Sequence, residues 1–128
     1  MVDQVNALAA RIGLPVSPKL SIADQYVLSW DGLDGTVTVG EVITDRAAWI
    51  VIHADENGQP GKILGRQPVP EGYSEDVIVT IAAIYAPRSM FVRLYEDNGK
   101  PRIFESEIDL PILHHGKPVT AQFNQIVE

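Results

Sequence analysis

Cysteine is absent from this chain, which excludes disulfide staples, thiol nucleophiles, zinc knuckles and blue-copper centres and leaves the redox compartment open. Positive charge is scarce: ten Lys and Arg face seventeen Asp and Glu, a net charge of −7. A surface of that sign repels phosphate, so nucleic acid and anionic membranes are disfavoured as partners. Long apolar runs are missing too. The longest, Val77 to Ala86, contains Thr80 and falls well short of the roughly eighteen residues of a spanning helix, so no membrane insertion is expected. Asp3, Gln4 and Asn6 interrupt the N-terminus, with no basic segment ahead of an apolar one, so it does not read as a secretory leader. Either the chain works in the cytoplasm, with Met1 native, or Met1 opens a mature fragment of an extracellular or cell-surface protein. Gly-rich phosphate loops and a Gly-x-Ser-x-Gly elbow are also lacking.

What is present fits one domain. A chain of 128 residues with 45% hydrophobic content can bury a core without metal or disulfide support. Val2, Val5, Ala9 and Ile12 recur at helical spacing behind Asp3, and Gly13 and Pro15 stop the pattern. This predicts a short N-terminal helix and a Pro-containing linker over residues 1–19, with a β-sandwich domain over 20–128. An isolated helix of about eleven residues is marginal in water, so it docks on the domain, pairs with another chain, or frays.

From Leu20 the pattern has period two, rich in Val, Ile, Thr and aromatics and punctuated by Gly, Pro, Asn and Asp. Strands are expected near 20–28, 35–44, 47–54, 62–68, 74–82, 89–96, 102–107 and 117–127. Turns fall at Asp31-Gly32, Asn57-Gly58, Glu71-Gly72 and Asn98-Gly99. The fold class is therefore all-β, a sandwich of seven or eight strands. In 35–44 the alternation of Val37 and Val39 breaks at Glu41 or Val42, which predicts a bulge or strand end there. Trp49 to Ala54 is apolar on both faces, as in a central strand covered on both sides. Met90, Val92 and Leu94 are the core side of their strand, and Trp49 is expected in the core.

Gly35-Thr-Val-Thr-Val-Gly-Glu-Val42, Ala48-Trp-Ile-Val-Ile-His-Ala-Asp55, Gly58-Gln-Pro-Gly61, Ile63-Leu-Gly65 and Gly116-Lys-Pro-Val119 occur in that order. With these residues the chain resembles, over about residues 20–127, an uncharacterised immunoglobulin-like sandwich family of archaeal and bacterial secreted or surface proteins, often in tandem copies. The resemblance implies an immunoglobulin-like fold and a non-catalytic extracellular module. Relatives usually carry a second histidine where Val92-Arg-Leu-Tyr95 stands here, which weakens any role built on paired histidines.

Candidate chemistry is sparse. His53, His114 and His115 are the imidazoles available for a metal, but adjacent residues of an extended chain point to opposite faces. Asp55, Glu56 and Asn57 with Glu96, Asp97 and Asn98 supply the hard oxygens of a calcium site if the two tips sit together; as solvated turn residues they need no ion. Glu105, Glu107 and Asp109 are the only carboxylates resembling a glycosidase pair, and Glu105 and Glu107 share one strand face, where they stay wet. No catalytic residue and no cofactor is assigned. Trp30 and Tyr73 can form a flat sugar-stacking surface, or pack under loops. The expected function is a structural or protein-interaction module of a surface or secreted assembly, its partner bound through the N-terminal helix or an edge strand. A carbohydrate-binding module using exposed aromatics is the alternative.

Overall fold

The computed structural model describes residues 17–97 and 109–126. The predicted helix over residues 2–12, the strand over 102–107 and the Asn98-Gly99 turn lie outside them. Within them the chain is all-β, with one 3-10 turn at Ala83–Tyr85 and no α-helix. The strands are β1 (Lys19–Ser21), β2 (Leu28–Ser29), β3 (Gly35–Thr44), β4 (Ala48–Glu56), β5 (Gln59–Val69), β6 (Gly72–Ile81), β7 (Ser89–Glu96), β8 (Leu113–His114), β9 (Lys117–Pro118) and β10 (Thr120–Asn124).

They form a two-layer sandwich. In one layer β3 pairs with β6 on one side and, on the other, with β1 near its end and β2 near its start. The other layer has the order β10-β7-β4-β5, all antiparallel. Period two sorts the side chains: Val37, Val39, Val42, Val79 and Ile81 from the first layer meet Ile50, Ile52, Leu64, Met90, Val92, Leu94 and Phe123 from the second. Each such side chain contributes roughly 1.5–3 kcal/mol on leaving water. Met90, Val92 and Leu94 are fully buried, as the alternation required.

One sequence expectation needs correction, and another gains a location. The break in β3 is neither a bulge nor an end, because β3 and β6 keep one register from Gly35↔Ile81 to Thr44↔Gly72. Pairing lapses only opposite Gly40, where Asp76 takes a left-handed φ of 49°, so both strands change face together and the register survives. Trp49 is buried, yet it sits on the outer face of its sheet with Val51, Tyr95 and Ile63, apart from the inter-sheet core. Odd positions of β4 point outward because Ala48, Ile50 and Ile52 already face in.

The strand expected over 20–28 is split, and the reason lies in its route between layers. Its main chain at Gln25 donates to Asn124 O (3.1 Å) and accepts from Ile126 N (2.7 Å), a parallel bridge to the end of β10 in the opposite layer. Its side-chain amide meanwhile donates to Thr38 O (2.9 Å) and accepts from Thr38 N (2.7 Å), filling the gap on β3 between β1 and β2. One glutamine closes that seam. The other seam is Leu64 O accepting from Ala82 N (2.9 Å) beside Gly65, where an added Cβ would meet Thr80 O at 2.1 Å.

Candidate functional site

His53, buried within β4 three residues before its end, is a structural group. Its Nδ1 lies 2.8 Å from Gly61 O, which only accepts, so Nδ1 carries the proton and Nε2 accepts from Tyr95 Oη at 2.9 Å. Burial holds the His53 pKa below its ordinary value, Arg93 adds to the effect, and the Gly61 carbonyl opposes it. Burial likewise raises the Tyr95 phenol. Both nitrogens are engaged, so His53 has no lone pair to offer a metal.

The other histidines do not join it. His114 and His115 sit at the β8–β9 turn, where His115 (φ 54°) and Gly116 (φ 77°) are left-handed. The chain is not extended there, and the two rings approach to 4.0 Å instead of pointing apart. Among the described residues no group of three or more His, Cys, Asp or Glu is placed to hold a metal ion.

The two acidic tips are at opposite ends of their sheet. Glu96 pairs with Ala48, seven residues before Asp55, a separation of about 23 Å along the strand. Adjacent antiparallel strands force this: the β4–β5 tip closes at the end where β7 begins. Asp55 Oδ1 accepts from Gly58 N (2.7 Å) and Glu56 accepts from Lys62 N, while Glu96 pairs with Arg46 at 2.5 Å. Asn57 shapes its turn with φ 58°, as Asn-Gly chemistry demands, and Asn98 lies outside the described residues. Turn formation thus accounts for Asp55, Glu56 and Asn57, and Asp97 lies with Glu96 at the far end.

Trp30 and Tyr73 are separated as well. Trp30 follows Ser29, which pairs with Gly35, whereas Tyr73 pairs with Ile43 at the other end of β3, about 26 Å away. Tyr73 is partly buried, its hydroxyl donating to Glu41 at 3.3 Å. No shared sugar platform forms from this pair. Asp109 is fully buried, and Glu105 and Glu107 lie outside the described residues.

What the structure does assemble is an apolar pole that the sequence reading missed. Ile84 N donates to Leu33 O at 3.0 Å, tying the 82–87 segment to the 30–34 loop. Asp31 Oδ1 accepts from Leu33 N and Asp34 N, both at 2.8 Å, which fixes that loop and lowers the Asp31 pKa. Leu28, Trp30, Leu33, Ile84 and Tyr85 are each more than half exposed here. Lys62 reaches from the β4–β5 arm and lays its ammonium 4.0 Å from the Tyr85 ring centroid. A sequence signal existed in Leu33 and in Ile84-Tyr85: large apolar residues in connections whose turn chemistry needs none.

Residues 19–125 match the family model of DUF7282, a domain of unknown function. The chain belongs to the DUF7282 family. No curated protein and no solved structure matches it. In this DUF7282 domain the matched span begins at β1 and ends at the Gln25–Gln125 bridge, so it covers both layers and both seams. No helix among the described residues is long and apolar enough to cross a membrane.

Proposed function

We propose that this DUF7282 domain is a non-catalytic interaction module of a surface or secreted assembly, with an immunoglobulin-like fold, that docks a protein partner through the Trp30–Tyr85 pole. The layer order supports the fold assignment: counting β1 and β2 as one edge and setting aside the separate β8–β9 hairpin, strands one, two and five lie in one layer, and seven, six, three and four in the other. That is the immunoglobulin-like order with its fourth strand moved across. One observation carries the docking reading: five large apolar side chains, all more than half exposed, lie at one end of the sandwich, Leu28 on β2, Trp30 and Leu33 on the 30–34 loop, and Ile84 and Tyr85 on the 82–87 segment bonded to that loop. Rigid loops on a sandwich present such a surface at little entropic cost. Strand addition is the weaker route, since the N-terminal edge is two strands of 3 and 2 residues with Gln25 filling the gap between them.

Photo-crosslinking tests this. A benzophenone side chain replacing Trp30 is expected to give a discrete protein adduct in native extract, and one replacing Glu71, exposed near the opposite end of the sandwich, is not. Equal labelling from both positions, or an adduct that persists when Leu33 and Ile84 are changed to serine, overturns the reading.

A further inference from the structure

We infer, resting on the pole as a protein-docking surface, that its occupant is a polypeptide segment pairing apolar side chains with arginine or lysine. Two features of the pole point that way. Among the described residues, its loop and the adjoining hairpin tip carry Asp31, Asp34 and Glu56, all exposed, with Asp55 half-buried, and these carboxylates outnumber the cations Lys62 and Arg88 at this end. A like-charged second copy facing this surface would bring these carboxylates together, so self-association through the pole is opposed while a basic partner is attracted. The second feature is chemical: the pole already receives a cation, because Lys62 Nζ stacks on Tyr85, and the Trp30 ring, 64% exposed, offers a stronger face of the same kind between Ser29 and Asp31. An arginine of the partner would take that face while its apolar neighbours cover Leu33 and Ile84. Arginine and aromatic side chains paired in this way are the residues that dominate binding energy at protein interfaces.

Three short amphipathic peptides test it, alternating leucine with arginine, with glutamine or with glutamate. Trp49 is buried and Trp30 exposed, so a blue shift of tryptophan emission reports binding at the pole. The arginine peptide is expected to shift the emission and to lose about tenfold in affinity when salt rises from about 0.05 M to about 0.5 M. Asp34→Lys should weaken it, while Glu71→Lys, the same charge change near the opposite end of the sandwich, should not. Lys62→Gln should strengthen it by vacating the Tyr85 face.

Equal loss from Asp34→Lys and Glu71→Lys reduces the effect to net charge and overturns the inference. Preference for the glutamine or glutamate peptide at Trp30 also overturns the inference, and it leaves the docking pole standing. No emission change with any peptide, or concentration-dependent dimerisation abolished by Trp30→Ala, removes the pole as a heterologous docking surface and the inference with it. A soluble glycan shifting Trp30 where the peptides fail does the same.

Discussion

His53 holds its place through a proton on Nδ1 and a lone pair on Nε2, so the fold requires the neutral ring. Its pKa in the folded chain lies below the unfolded value of about 6.5, so the unfolded state binds the proton first. The stability this group supplies is fully present above about pH 6.5 and is lost as pH falls from there through the lowered folded pKa. The denaturant midpoint should therefore be flat from pH 9 to pH 7 and decline toward pH 5, and His53→Gln should flatten the decline. The two tryptophans give a second residue-scale contrast. Trp49→Ala should cost about 3–5 kcal/mol, because its ring is packed with Val51 and Tyr95. Trp30→Ala should fall within about 0.5 kcal/mol of wild type in a urea melt, because its ring is mostly in water. The sequence offered Trp30 for recognition, and a run apolar on both faces placed Trp49 in a covered strand. Which face of that strand it takes depends on the neighbouring sheet, and no local pattern carries that.

The second seam lies where the register of β5 against β4 shifts. Register shifts on either side of Ile63 turn Leu64 inward and bring Gly65 against β6. Gly65→Ala should cost about 3 kcal/mol or force the seam apart, read as a lowered melting midpoint, since its Cβ would fall 2.1 Å from Thr80 O. Gly40→Ala is the matched control in a strand of the same sandwich: its Cβ would meet only Ser21 O at 3.5 Å, and the midpoint should hold or rise slightly. Strand existence was legible because Val37 and Val39 alternate with Thr36 and Thr38 in 35–44 and Met90, Val92 and Leu94 recur with period two in 89–96. Both strands appear with the bounds the alternation predicted. The break in 20–28 was not, because it follows from a bond between Gln25 and a segment one hundred residues away.

At the scale of the whole molecule, Gln25 holds two layers together with a single side chain and its own main chain. Gln25→Ala removes both Thr38 bonds and leaves that edge of β3 unfilled, an expected loss of about 2–3 kcal/mol in chemical denaturation. Calcium offers a test of the opposite sign. The acidic tips are about 23 Å apart along the sheet, so added calcium or chelator should leave the melting midpoint unmoved, and a rise with calcium would contradict the placement of Asp55 and Glu96. By itself the sequence determined the β class, the turn at Asn57-Gly58, the core side of β7 and the acidic charge, because each depends on residue type and spacing within a few positions. Tertiary structure alone decided which loops share an end. Antiparallel pairing carried the Asp55 and Glu96 tips apart, separated Trp30 from Tyr73, and brought the 30–34 loop to Ile84 across fifty residues of chain, where Ile84 N donates to Leu33 O. Proximity of that kind is set by how two sheets stack, and no short-range pattern encodes it.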